Sequence, residues 1–216
     1  MPKFSPKDFI KRNFKFVLAG AVLLVIFYSF SYLVKEDVFR RFDFDMTVRI
    51  QAKVPVRIDP YFSVLSLVGS FEVTLVALIV LIAIRRKIQG ALLVGWFGFM
   101  HVVEIVGKAF LDHPGTPFMF HRYALDFFFP SGYVQPGGSY PSGHAMRTAY
   151  LSVLIIFMVS RSKFSKNLKL AIYGGVAVFY LLMVISRVSL GEHWTTDVIG
   201  GSILGVAFAL FSLVFI

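Results

Sequence analysis

Residues 170–216 read LAIYGGVAVFYLLMVISRVSLGEHWTTDVIGGSILGVAFALFSLVFI, two apolar runs interrupted by one polar stretch, Ser186–Asp197. Each run is close to the roughly 20 apolar residues that cross a bilayer core, so the pair reads as two membrane helices. Arg187, Glu192, His193 and Asp197 crowd the junction between them, where ionisable groups are costly and mark function. His193 and Asp197 stand at i and i+4, so a helix through both would put them on one face. A carboxylate so placed accepts the imidazole Nδ1–H, fixes the tautomer and leaves Nε2 to attack. Arg187 adds a guanidinium fork of the kind that holds phosphate oxygens.

Outward from this junction the same alternation covers all 216 residues, which are 57% hydrophobic and 17% aromatic with a mean hydropathy of +0.74. A soluble domain of this size is far less apolar. The expectation is a single all-α domain, 1–216, a polytopic bundle with spans at 16–34, 61–84, 88–110, 141–159, 170–188 and 194–216. The first run is span-length and no small-x-small cleavage site follows it, so it reads as a retained helix. Residues 35–60 mix charges of both signs, as a short interfacial helix and a loop would. The loop 111–140 is rich in Pro, Gly and aromatics, with Phe127, Phe128 and Phe129 suited to headgroup depth. The chain has no cysteine, which excludes disulfide and thiolate chemistry.

The formal charge of +10 could suggest nucleic acid, but the cations flank apolar runs. Segments 1–15, 85–87 and 161–169 hold twelve of the 22 Lys and Arg residues and only Asp8 as an acid. The positive-inside rule assigns these segments, and with them both termini, to the cytoplasm. The loops at 35–60, 111–140 and 189–193 then face outward. The Ser186–Asp197 cluster, the end of span three and the start of span four thus share an exoplasmic interface, expected at the cell membrane.

Span four opens with Pro141-Ser142-Gly143-His144. Proline suits a first helical turn, Ser142 offers a hydroxyl, and Gly143 permits close backbone approach. The helix start carries a positive dipole, so the motif reads as an anion cradle with His144 as a candidate general acid. In span three, Glu104 precedes Lys108 by four residues, the favourable order for a helical ion pair. Lys108 reads as a phosphate ligand held by Glu104, and His101 as a buried hydrogen-bonding residue. Glu72 reads as an interhelical polar contact, and Gly201 and Gly205 as small-residue packing.

These residues resemble the type 2 phosphatidic acid phosphatases, or lipid phosphate phosphatases, relatives of bacterial class A acid phosphatases and vanadium haloperoxidases. Pro141-Ser142-Gly143-His144 matches the family's second motif. Ser186-Arg187, His193 and Asp197 match its third, Ser-Arg, five residues, His, three residues, Asp, without a gap. The resemblance implies that His193 is the nucleophile of a phosphohistidine, Asp197 its orienting partner and His144 the acid for the leaving group. It also implies that Lys108, Ser142, Gly143 and Arg187 bind phosphoryl oxygens and that neither metal nor cofactor is required. The first motif departs: Lys, six residues, Arg-Pro is expected, but Gly115-Thr116 stands at the Arg-Pro position. Arg147, three residues after His144, is the leading replacement for the absent guanidinium. Arg122 is the other candidate, and the alternative for Arg147 is a structural pairing with Asp126 or Glu104.

The implied activity is hydrolysis of a lipid phosphomonoester or pyrophosphate (phosphatidate, phosphatidylglycerophosphate or polyprenyl pyrophosphate). The partners are the bilayer and its lipids, with no nucleic acid. A phosphotransferase using the same histidine is the nearest rival. A non-catalytic lipid- or anion-binding membrane protein is the rival from another class.

Overall fold

A computed structural model describes residues 6–85, 90–122, 129–130 and 138–216. Arg86, Lys87, Asp126, Phe127 and Phe128 lie outside the described residues, as does most of the 123–137 loop. Among the described residues the regular structure is helical throughout: α1 (Pro6–Lys35), α2 (Arg40–Lys53), α3 (Asp59–Val68), α4 (Phe71–Arg85), α5 (Gly90–Phe110), α6 (Gly143–Ser160), α7 (Lys166–Ser189) and α8 (Thr195–Ser212).

Among the described residues five helices are long and apolar enough to cross a membrane: α1, α5, α6, α7 and α8 with the short 3₁₀ turn that follows it. The expected second span is not one straight helix. It is the pair α3 and α4, bent by 55° at Gly69-Ser70. Glycine lacks helix propensity, and the Gly69 N–H folds back onto Ser66 and Leu67 carbonyls to close α3. Ser70 Oγ then accepts the Val73 N–H at 3.3 Å and opens α4. A Gly/Ser pair is a common cause of a sharp helix kink.

A second difference concerns the opening stretch, which is not continuously helical. Helix α7 ends at Ser189 and α8 begins at Thr195. Between them Gly191 adopts φ +71°, and a Cβ there would lie 2.1 Å from the Phe120 carbonyl oxygen. Only glycine takes that conformation in that space. At the other motif, α6 begins at Gly143 with Ser142 as its N-cap, so Pro141 precedes the first turn instead of occupying it.

Helix α8 is the central element. Over half of its span is buried inside the protein, against 6% for α7, although both are strongly apolar. An apolar helix with so little buried surface faces lipid. Helices α6 and α8 approach closely because α8 presents glycines to the α6 backbone. A Cβ on Gly201 would meet the Ser142 carbonyl oxygen at 2.2 Å, and one on Gly205 the Met146 carbonyl oxygen at 2.1 Å. That is the packing expected of small residues where lipid tails are as apolar as the helices and contact, not water exclusion, drives association. Leu78, Leu93, Phe97, Met100, Met146, Tyr150, Leu154, Leu204 and Phe208 fill the core between α4, α5, α6 and α8.

The N-terminus of α8 is held by two carboxylates. Asp197 accepts the Trp194 N–H at 2.9 Å. Asp43, from α2, accepts the Thr196 N–H at 2.8 Å and its hydroxyl at 2.6 Å. Negative groups at a helix start satisfy its orphan donors and its dipole. The segment 35–60 therefore does more than lie at an interface: α2 fastens the turn that carries His193.

Candidate active site

The ends of α5, α6, α7 and α8 that carry the motifs meet at one end of the bundle. Lys108, Gly143, His144, Arg147 and His193 line a common cavity of about 300 Å³, together with Glu104, Gly115, Thr116, His121, Ser139 and Glu192. Of the other sequence candidates, Ser142, Arg187 and Asp197 are fully buried behind this lining.

Asp197 is the anchor. His193 Nδ1 lies 3.3 Å from its Oδ2. The pairing arises because His193 precedes the N-cap of α8 while Asp197 sits in its first turn, not because both stand on one helix face. Two further groups, which local periodicity did not reveal, share the carboxylate. His113 Nδ1 approaches Oδ1 at 2.9 Å, and Ser139 donates a short hydrogen bond to Oδ2 while lying 3.3 Å from His193 Nδ1. Burial disfavours charge on His113, but the hydrogen bond and the negative charge of Asp197 outweigh it, so its pKa is raised above the ordinary histidine value.

Glu104 is the second hub. Its Oε2 takes Arg147 Nη1 at 2.9 Å and His101 Nδ1 at 2.8 Å, and its Oε1 lies 3.4 Å from Lys108 Nζ. The expected Glu104–Lys108 support is present, and so is the structural alternative for Arg147, whose Nε also donates to the Gly69 carbonyl at 3.1 Å. Arg147 thus lines the cavity while pinned at two donors. Gly143 sits directly on this pair: a Cβ there would come within 2.0 Å of Glu104 Oε1 and 2.6 Å of Arg147 Nη1. Ser142 Oγ is buried with no hydrogen-bond partner among the described residues, a polar atom left over beside the α6 start. His144 Nε2 lies 3.4 Å from Ser66 Oγ.

Arg122 is not part of the cavity. Its Nε pairs with Asp59 at 3.0 Å and its Nη atoms donate to the Gln51 and Val54 carbonyls. It fastens the loop after α5 to the α2–α3 region, so it does not replace the absent arginine. At Gly115, where the first motif would carry that arginine, a Cβ would meet nothing within 4 Å among the described residues. Thr116, in place of the proline, ties the loop to the Gly191 carbonyl through its hydroxyl. Among the described residues no group of three or more His, Asp or Glu side chains is arranged to hold a metal ion.

Comparison with known proteins bears on the family and the fold. The PAP2 superfamily model matches residues 90–216. Phosphatidylglycerophosphatase B of Bacillus subtilis (strain 168) is 43% identical over 69 residues, 32% of this chain and 34% of that protein; the alignment spans about a third of the relative. The crystal structure of a transmembrane PAP2 type phosphatidylglycerolphosphate phosphatase from Bacillus subtilis superposes with a TM-score of 0.72 at 22% identity, covering 90% of this chain and 94% of that one. Aquifex aeolicus LpxE matches with a TM-score of 0.59 at 19% identity, over 79% and 93% of the two chains.

Proposed function

Because the chain belongs to the PAP2 superfamily, we propose that it is a lipid phosphate phosphatase that works through a phosphohistidine on His193. The observation that carries the reading is the shared cavity: His193, backed by Asp197, opens onto the same space as His144, Lys108 and Arg147. The hydrogen bond at Nδ1 directs the lone pair of Nε2 outward for attack. In the first step the Nε2–P bond forms, the P–O bond to the lipid breaks, and His144 gives its proton to the departing oxygen. Water then attacks the phosphohistidine, His144 takes its proton, and orthophosphate leaves. Catalysis of this kind rests on fixed positive groups and in-line positioning. Lys108 and Arg147 are the cations at the cavity wall, with Arg147 standing in for the first-motif arginine. Ser142 and Gly143 add the helix start beneath the phosphoryl group, and Arg187 lies behind it.

A lipid substrate follows from the setting, since the cavity lies where the membrane helices end. The names of the relatives support a glycerolipid phosphomonoester of the phosphatidylglycerophosphate class as the first substrate to test, with phosphatidate and polyprenyl pyrophosphate as the comparison substrates. The charge pattern of the loops favours an exoplasmic cavity and cytoplasmic termini. The mechanism needs no metal. The test is phosphate release by purified protein in detergent with EDTA present, over those three lipids, with His193→Ala alongside. Release that survives chelation and disappears in the variant is expected. Release that EDTA abolishes, or that persists in His193→Ala, refutes the mechanism.

A further inference from the structure

Arg187 is the residue that the third motif assigns to phosphate, yet it does not reach the cavity wall; Glu192 does. The guanidinium is fully buried, and its Nη1 forms a short ion pair with Glu192, whose side chain is 19% exposed. Its other donors go to oxygens of α3 and α7: Ser66 Oγ at 2.5 Å, Ser186 Oγ at 3.1 and 3.2 Å, and the Phe62 carbonyl at 3.4 Å. A carboxylate and a phosphoryl group meet a guanidinium through the same charge-assisted hydrogen bonds. Glu192 therefore stands between Arg187 and the cavity, where a phosphoryl oxygen would approach.

The position suits a group that can move. Glu192 follows Gly191 in the turn between α7 and α8, and its backbone N–H is held by the Arg187 carbonyl at 3.0 Å. The side chain can swing into the cavity without unwinding either helix, while the backbone keeps the turn in place.

We propose that Glu192 is a resident competitor for Arg187, displaced by a dianionic phosphomonoester but not by a monoanionic phosphodiester, and so makes the site selective for phosphomonoesters. The proposal rests on the phosphatase reading above and names how that site chooses its substrate. Glu192 carries one negative charge. A phosphodiester also carries one, so exchanging the two gains nothing at Arg187 and forfeits a tethered partner. A phosphomonoester carries about −1.5 to −2 near neutral pH, and its extra charge falls to Lys108 and Arg147. At lipid headgroup depth ordinary phosphodiester lipids vastly outnumber phosphomonoesters. A cavity that bound both alike would be occupied by its own surroundings, and selectivity of this kind often comes from a built-in repulsive element.

The test uses full-length protein in detergent, with methyl phosphate and dimethyl phosphate as soluble probes read by ³¹P NMR. Phosphatidylglycerol in mixed micelles serves as the lipid diester inhibitor. Glu192→Gln keeps the shape and removes the charge. It is expected to tighten dimethyl phosphate binding and phosphatidylglycerol inhibition by about tenfold, the scale of one charge-assisted hydrogen bond. An unchanged ratio of monoester to diester affinity, or weakened binding of both probes, overturns the proposal; in the latter case Glu192 merely positions Arg187. If the variant does not fold, the wild type decides: dimethyl phosphate binding within about tenfold of methyl phosphate contradicts a competitor of this strength. Binding is read without turnover. A protein that binds methyl phosphate but releases no phosphate from any lipid therefore fails the phosphatase reading while leaving the selectivity test intact.

Discussion

Gly143→Ala is the sharpest perturbation the site offers, because the added methyl has nowhere to go. Its position would be 2.0 Å from Glu104 Oε1, 2.7 Å from Glu104 Cδ and 2.6 Å from Arg147 Nη1. Overpacking alone costs about 1–3 kcal/mol. Here the atoms in the way are the two halves of a buried ion pair, both nearly inaccessible. Pushing Glu104 off Arg147 strands both charges, at about 3–5 kcal/mol. For a chain of this size each kcal/mol moves the melting temperature by roughly 2–4 °C, so a fall of about 6–20 °C is expected. Displacing Glu104 also releases Lys108, and a misplacement of about 1 Å at a catalytic group can cost about 10²-fold in rate. The assay is thermal unfolding in detergent with kcat/KM for phosphate release. Gly95→Ala and Gly98→Ala in α5 are the controls, since a Cβ at either meets nothing within 4 Å and alanine there is expected to be neutral or stabilising by about 0.5–1 kcal/mol. A Gly143→Ala protein that melts like wild type and keeps its kcat/KM would refute the reasoning.

Three other outcomes follow from the same geometry. Gly115→Arg places a guanidinium in open space on the cavity wall and is expected to lower the inhibition constant of orthophosphate about tenfold; an unchanged or higher constant would show that position 115 does not address the phosphate. His113 has a pKa raised by its contact with Asp197, so the folded protein holds that proton more tightly than the unfolded chain. Its contribution to stability is full below the unfolded value near about 6.5 and is lost as pH rises through the raised folded value. His113→Gln should flatten that part of the melting temperature against pH, and an unaltered profile would remove the role. Asp43→Asn weakens the hold on the α8 start and should cost about 0.5–2 kcal/mol, read as a lower melting temperature; a variant as stable as wild type would deny Asp43 the cap.

Run length made the membrane helices legible, because some twenty apolar residues permit little else. It hid the break at Gly69-Ser70, since an apolar stretch reads the same whether straight or bent. The His193–Asp197 pair was visible through its i, i+4 spacing, although the contact arises at a helix start and not along a helix. Four cavity residues from the motifs were found by identity, Lys108, Gly143, His144 and His193. The supports were not: His113 and Ser139 reach Asp197 from 84 and 58 residues away, and no local pattern records such a meeting. Arg147 led Arg122 as the replacement cation because it follows His144 by three residues on span four. Packing bears on the choice by giving Arg122 to Asp59 and Arg147 to Glu104 at the cavity.

The bend between α3 and α4 has a consequence for how the protein is made. Arg147 and Arg187 belong to late helices, yet both lean on the early bent pair, through the Gly69 carbonyl in one case and through Ser66 and the Phe62 carbonyl in the other. A chain is synthesised from its N-terminus and tends to fold in that order. The acceptors are therefore already in the membrane when the two guanidiniums arrive, and each buried cation finds oxygen waiting instead of hydrocarbon. Residues 90–216 carry all the recognisable motifs, but expressed as a fragment they would enter the bilayer with Arg147 and Arg187 left to Glu104, Glu192 and Ser186 alone, without the oxygens of the bent pair.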